Sequence, residues 1–358
     1  MRIKKALFLG TLCTAVSGMS LFAQAGVSYA KSAEKTTEAA SSEEAESEEE
    51  TSEEVTYPIT IEHAFGETVI ESKPERIATI GWENQDTPLA LGVAPVGVSA
   101  ANYGMVTDNN LHPWTDEAFA DLGVEKPVVF DDVDGLDFEQ ISDCNPDVIL
   151  AAYSGMTQED YDTLSQIAPV IPYKEKAWQT SWREQTIENA EGMGMKPEGE
   201  KKVKEVEDLI AEKLEEYPQL EGIPTAFCWI SADDFSTFYV YLPTDPREAY
   251  LLDLGLTLPE SVQKLAGETD DFNITVSREN ADQLDDIQLM VVYGDEDLLK
   301  SLQEDKLMSQ IPAIKNGAVA LVDSTSALAG ASTPSILSIP YEIDEYLQLL
   351  SDVAENIK

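Results

Sequence analysis

Residues 197–218 read PEGEKKVKEVEDLIAEKLEEYP. Val203, Val206, Leu209, Ile210 and Leu214 recur at helical spacing, so one apolar stripe runs along an otherwise charged segment. Pro197 suits a helix start, where its missing N–H costs nothing, and Pro218 and Gly222 end the pattern. This is the longest uninterrupted helical pattern of the folded body, and it falls in the middle of it.

What flanks the helix decides how it is used. Upstream, YPITIEHAFGETVIES alternates apolar and polar residues on both sides of AFGE, which predicts a hairpin. Strands and helices then alternate: RIATIG, a short helix in NQDTPLALGV ended by Gly92, APVGVSA, a helix in LDFEQISDC, PDVILAAY, a helix in TQEDYDTLSQIA, and PVIPY. Downstream, TAFCWIS and TFYVYLP read as strands, PREAYLLDLGL and VSRENADQL as helices, IQLMVVYG as a strand, DEDLLKSLQ as a helix and GAVALVD as a strand. A final helix in PSILSIPYEIDEYLQLLSDVAENI is interrupted by Pro340. Such alternation implies mostly parallel sheets with functional loops at the strands' C-terminal ends. The expected fold is α/β, two βα lobes with parallel-rich sheets joined by one long helix: an N-terminal lobe over 57–196, the helix over 197–218 and a C-terminal lobe over 219–358.

The chain has 358 residues, with 23 Lys and Arg against 68 Asp and Glu, a formal net charge of −45. Nucleic acid is therefore disfavoured as a partner, and an anionic ligand would have to be met by local positive groups. MRIKK followed by ALFLGTLCTAVSGMSLF, with small residues at Ala23–Ala25 and Ser28–Ala30, reads as an export signal over 1–30, cleaved or retained as an anchor. Cys13 lies in mid-run after Leu12, which argues against a lipid attachment there. Residues 31–56, rich in Glu and Ser, cannot bury a core and read as a disordered stalk. The chain is thus expected outside the cytoplasm, held at the membrane by its N-terminus or by a partner. Cys144 and Cys228 fall in core-like contexts of different halves and are expected to stay reduced.

No catalytic constellation is present: the sequence has no G-x-S-x-G, no P-loop, no H-E-x-x-H and no C-x-x-C. Its two histidines exclude a metal centre of three or more imidazoles; His63 reads as structural, and His112 is a ligand or an ordinary loop residue. Aromatic residues instead gather at expected loop ends: Trp82, Tyr103, Trp114, Tyr153, Trp178, Trp229, Tyr239 and Tyr241. Of these, Trp82, Tyr103, Tyr153, Trp178 and Tyr241 are candidate ligand-binding residues, with core filling as the plain alternative. Trp229 is assigned to the core. Arg247, in the first turn of a helix, could meet carboxylate or hydroxamate oxygens. Arg183 is a weaker candidate for the same role, with a solvated helix face as its plain alternative, and Arg76 reads as a structural surface residue. Finally, FEQISDCNPDVILAAYSG (138–155) and RENADQLDDIQLMVVYGD (278–295) look like copies of one unit, each opened by a glutamate, Glu139 and Glu279. A carboxylate in a helix's first turn favours the dipole. A matched pair, one per lobe, also suits docking.

HAFGETVIESKPERIATIGW, PLALGVAPVGV, LDFEQISDCNPDVILAAYSG, LSQIAPVI, DPREAYLLDLGL and ITVSRENADQL, in this order around a central helix, resemble the substrate-binding proteins of ABC importers for iron–siderophore, haem and cobalamin uptake. YSGMTQEDYDTLSQIAPV and GWENQD look most like the iron–siderophore branch. The resemblance implies a class III periplasmic-binding-protein-like architecture with a rigid bridging helix and a ligand between the lobes. It implies a receptor rather than an enzyme, with no resident cofactor. The ligand would be a ferric siderophore, with haem or cobalamin as the alternative. The partner would be an ABC permease dimer with its ATPase subunits, gripped by Glu139 and Glu279, and the receptor itself would be a monomer. A chelatase-like enzyme is the reading from another class.

Overall fold

The computed structural model describes residues 55–133 and 135–358. The export segment and residues 31–54 of the acidic stalk lie outside the described residues. Among the described residues, no helix is long and apolar enough to cross a membrane. The body opens with the expected hairpin, β1 (Ile59–His63) against β2 (Gly66–Ile70), antiparallel with Ile59 opposite Ile70. Its period of two is visible in burial: Ile61, His63, Thr68 and Ile70 face inward and their neighbours face solvent.

The first sheet is formed by β3 (Ile77–Thr79), β4 (Gly97–Ser99), β5 (Val129–Phe130), β6 (Val148–Ala151) and β7 (Val170–Pro172). The order is β5-β4-β3-β6-β7 and every pairing is parallel. The crossovers carry α1 (Asp86–Ala90), α2 (Pro113–Asp121), α3 (Phe138–Asp143) and α4 (Gln158–Leu164). Strand β6 is buried on both faces: Ile149 and Ala151 join one apolar cluster, Val148 and Leu150 another. Coverage of both faces is why VILA is continuously apolar rather than alternating.

The chain then runs through α5 (Trp182–Gly192) into α6 (Lys196–Leu214), the predicted bridge. The bridge is shorter than the sequence suggests. Pro197 lies in its first turn as expected, but the helix stops at Leu214, and Pro218 opens a separate 3₁₀ turn, Pro218–Leu220. Val203, Val206 and Ile210 sit in one apolar cluster with Trp182 of α5 and with residues of the second lobe. Gly199 makes the close crossing of α5 and α6 possible, because a Cβ there would lie 2.5 Å from that of Ala190. Arg183 does not lie on a solvated face. It donates to Glu207 of α6 at 2.6 Å and to Asp253 of the second lobe at 2.7 Å, so it ties three elements together at the bridge.

The second sheet comprises β8 (Thr225–Trp229), β9 (Thr237–Tyr241), β10 (Asn273–Ser277), β11 (Leu289–Tyr293) and β12 (Val319–Val322), in the order β10-β9-β8-β11-β12. Strands β8, β11 and β12 are parallel, while β9 and β10 form an antiparallel flank. Its helices are α7 (Pro246–Asp253), α8 (Glu260–Ala266), α9 (Glu296–Glu304), α10 (Pro312–Asn316), α11 (Ala327–Ala331) and α12 (Ser338–Ala354). Two expectations need correction. Pro340 does not interrupt the last helix: α12 begins at Ser338, so the proline sits in its first turn, where no helical hydrogen bond is lost. The segment VSRENADQL is not an α-helix. β10 claims residues through Ser277 by pairing with β9, and the six residues Arg278–Gln283 form a 3₁₀ turn.

Both copies of the repeated unit use their aspartate structurally. Asp147 accepts the backbone N–H groups of Glu75 and Arg76 at 2.9 and 3.0 Å. Asp286 accepts from the backbone N–H and hydroxyl of Ser261. Arg76 is structural as expected, donating to the carbonyls of Cys144 and Asn145. Cys144 and Cys228 are free and buried in different clusters.

Candidate functional site

A cleft of about 410 Å³ is lined by residues from both lobes: Trp82, Tyr103, Tyr153 and Trp178 from one, and Trp229, Tyr241, Arg247, Phe272, Tyr293 and Thr333 from the other. All six candidate ligand-binding residues converge on it. Topology explains the convergence. In the first sheet, Trp82, Tyr103, Tyr153 and Trp178 stand in the loops that follow β3, β4, β6 and β7, at the C-terminal edge where parallel sheets present their loops. Tyr293 ends β11 and Trp229 ends β8. The lobes meet where the ring of Tyr103 packs edge-on against Tyr293, centroids 5.2 Å apart, and where Met105 N–H donates to Ser326 O at 2.9 Å.

Trp229 is not a core residue. It is 41% exposed and lines the cleft, because β8 ends there with its face uncovered. Trp114, by contrast, is buried, its indole N–H donating to Asp86 Oδ2 at 2.9 Å. Tyr293, Phe272 and Thr333 were not singled out from the sequence. Tyr293 had a signal: it holds the place in the second repeat copy that Tyr153 holds in the first.

Two positions hold the aromatic walls still. Asn84 is fully buried and is saturated with hydrogen bonds. Its amide donates to Ile80 O at 2.7 Å and Tyr153 O at 2.9 Å. Its carbonyl accepts from Tyr153 N–H at 3.1 Å and Asn189 Nδ2 at 2.9 Å. Gln185 Nε2 donates to Trp82 O at 2.8 Å. The Trp82 and Tyr153 loops are thereby fastened to each other and to α5. Trp178 is held at φ 61°, a left-handed conformation that a bulky residue adopts only when its surroundings impose it. Its indole lies against Gly155, where an added Cβ would fall 2.5 Å from Nε1.

Among the described residues, Arg247 is the one charged residue of the lining. Asp245, at the N-cap of α7, accepts the Arg247 backbone N–H at 2.9 Å and its guanidinium in a bidentate fork, 2.9 Å to Nε and 2.7 Å to the second nitrogen. The guanidinium also lies 4.2 Å over the Tyr241 ring. Burial pushes the Asp245 carboxyl up while the guanidinium pulls it back, and the geometry is that of a charge-matched pair. Burial raises the hydroxyls of Tyr153, Tyr241 and Tyr293, and that of Tyr103 to about 12. All four are neutral donors near pH 7.

Behind Trp82 lies a buried acidic cluster. Asp86 accepts from Trp114, from Thr115 Oγ1 at 2.8 Å and from Ser335 Oγ at 2.5 Å, and burial raises it to about 6. Burial and the charge of Asp86 raise Glu83 well above the carboxylate range. His112 stacks on Trp114 and stands 3.6 Å from Glu83; burial lowers it to about 4, so it is neutral and lies outside the cleft lining. His63 is structural, bonded to Thr68 Oγ1 at 2.9 Å. Glu139 and Glu279 are both exposed, Glu139 in the first turn of α3 and Glu279 in the 3₁₀ turn after β10. Neither lines the cleft.

The sequence matches the model of a periplasmic binding protein family over residues 77–325. PiaA of Streptococcus pneumoniae TIGR4, solved in complex with ferrichrome, is 47% identical, with 84% of this chain and 100% of that one covered at a TM-score of 0.81. The petrobactin-binding protein YclQ of Bacillus subtilis is 24% identical over 81% of this chain and 88% of its own length. SirA of Staphylococcus aureus, complexed with staphyloferrin B, shares the fold at 23% identity and a TM-score of 0.64, covering 84% of this chain and 99% of that one.

Proposed function

Because this chain belongs to the periplasmic binding protein family, whose members bind solutes rather than transform them, we propose that it is an extracytoplasmic receptor that holds a ferric siderophore between its lobes and hands it to an ABC permease served by ATPase subunits. The observation that carries the ligand class is the charge balance of the cleft. Its walls are aromatic, and its one guanidinium is already matched by the fully buried Asp245. An anionic ferric complex would bring several charges to a site with no uncompensated positive group. Each unmatched buried charge costs several kcal/mol, more than an aromatic contact returns at about 0.5–1.5 kcal/mol. A ferric tris-hydroxamate is neutral, because three hydroxamates cancel the ferric charge. Its oxygens can accept from the phenols and from the remaining guanidinium N–H groups, and its hydrocarbon can lie on the rings. The ferrichrome complex of the similar PiaA is of this chemistry.

The test is tryptophan-fluorescence titration and native mass spectrometry with ferrichrome, ferrioxamine B, a ferric tris-catecholate and ferric citrate. The hydroxamates should be retained and should quench, with the trianionic catecholate bound at least tenfold more weakly. Tighter binding of the catecholate than of both hydroxamates would overturn the assignment. On this reading Glu139 and Glu279 are the contacts offered to the permease. The support is their exposure, their place outside the cleft lining and their position in matched units on either side of α6.

A further inference from the structure

The aromatic lining of the second lobe continues beyond the cleft. Phe227 and Tyr241 lie on one face of the second sheet, their rings 5.7 Å apart within the apolar cluster of that face. Two residues along each strand, on the same face by the period of two, stand Trp229 and Tyr239. These two are register partners across β8 and β9. Their rings are stacked, with centroids 5.4 Å apart and an angle of 26° between planes. The row therefore starts in the core and ends in solvent: Phe227 is 0% exposed and Tyr241 7%, whereas Trp229 is 41% and Tyr239 40% exposed. The next residue across the sheet, Thr275 opposite Tyr239, is exposed as well. Trp229 belongs to the cleft lining, so the stack is continuous with the site.

A stacked pair of large exposed rings on an uncovered sheet face leaves apolar surface in water, and its continuity with the cleft names the occupant. We propose that Trp229 and Tyr239 form an outer subsite that holds the apolar or acyl periphery of a ferric hydroxamate whose iron centre lies in the cleft. Trp229 serves both compartments and Tyr239 only the outer one. The pair offers π surface and no charge. It therefore favours a complex whose projecting arm is a large hydrocarbon or aromatic group over one of equal charge whose arm is too short to reach the rings. The inference rests on the receptor reading above.

The experiment compares the N-acetyl and N-benzoyl derivatives of ferrioxamine B, both neutral, which share one iron centre and differ only in a methyl against an aromatic arm. Both are titrated into the full chain, wild type and the variants Tyr239→Ser and Tyr239→Phe. Wild type should prefer the benzoyl complex by about 3- to 10-fold, the range of an aromatic contact. Tyr239→Ser should abolish that preference while leaving the affinity for the N-acetyl complex within about twofold. Tyr239→Phe should restore it, since the ring and not the hydroxyl does the stacking. Because Tyr239 is 40% exposed, the Ser variant should stay folded and lose about 1 kcal/mol or less, the size of a cross-strand aromatic pair. Equal binding of the two complexes by wild type, or an unchanged preference in Tyr239→Ser, would overturn the outer subsite alone. Failure of wild type to bind either complex or ferrichrome would overturn the ferric hydroxamate reading and the subsite with it.

Discussion

Arg247 and Asp245 are worth more to each other than either is to a ligand. Asp245 is fully buried, so Arg247→Ala leaves a carboxylate without its cation, a loss of about 3–5 kcal/mol. Adding Asp245→Asn should recover much of that, since asparagine still caps α7. Chemical denaturation of the single and double variants measures it; a single variant as stable as wild type would contradict the pairing. Both should bind ferric hydroxamate at least tenfold more weakly, while Arg183→Ala, remote from the lining, should not. Glu248 gives a pH signature. It is buried, accepts Phe227 N–H at 2.8 Å through one oxygen and has no partner on the other. Burial raises it from the ordinary 4.5 to about 8. The folded state therefore holds a proton that the unfolded state has lost. The stability from this group is full below about pH 4.5 and is lost as pH rises through 8. Glu248→Gln should remove that component, so variant and wild type should diverge by up to a few kcal/mol between pH 5 and pH 9. Parallel pH–stability curves would refute it.

At the scale of elements, two close approaches set the geometry. The crossing of α5 and α6 depends on Gly199 lying against Ala190. Gly199→Val should push the helices apart at a cost of about 1–3 kcal/mol, read from unfolding midpoints, the overpacking penalty outweighing any gain in helix propensity. The loop after β6 depends on Gly155 in the same way. Gly155→Ala should displace the Trp178 indole, lower ferric hydroxamate affinity severalfold and change the fluorescence quench. Gly155 is exposed, so unfolding should be little altered. Unchanged quench and affinity would show that Trp178 accommodates the methyl without leaving its place.

For the whole molecule, the open question of the repeat becomes an experiment on transport. Glu139→Gln with Glu279→Gln should leave ligand affinity intact and change stability by about 1 kcal/mol or less, a helix-dipole term for Glu139 in α3 and an exposed turn position for Glu279. If the pair grips arginines of a permease, uptake in reconstituted vesicles should fall sharply, because each lost charge strands a partner at about 2–5 kcal/mol. The double variant should be worse than either single one, and added salt should weaken wild-type transport more than variant transport. Undiminished transport in the double variant would return Glu139 to an ordinary first-turn carboxylate and Glu279 to an ordinary exposed turn residue.

Periodicity and punctuation in the sequence were enough to place two βα series about one long helix, because the spacing of apolar residues and the positions of glycine and proline are local properties of the chain. The same locality placed Trp82, Tyr103 and Tyr153 just after strands, and the sheet edge then carried them into the cleft. The antiparallel flank of β9 and β10 was not legible, because pairing is settled between strands far apart in the chain. Trp229 shows the same limit: TAFCW reads as a buried strand, and only the tertiary structure, which covers Phe227 and leaves the strand's end bare, decides that its last ring faces solvent. Asn84 is equally silent in sequence, since its five hydrogen bonds join it to four residues, Ile80, Tyr153, Gln185 and Asn189, the last of them 105 positions away. The chain by itself determined which elements form and which residue types reach the loops. Packing between elements decided which of those residues share a cleft, which charge is already spent on a neighbour, and which face was left open.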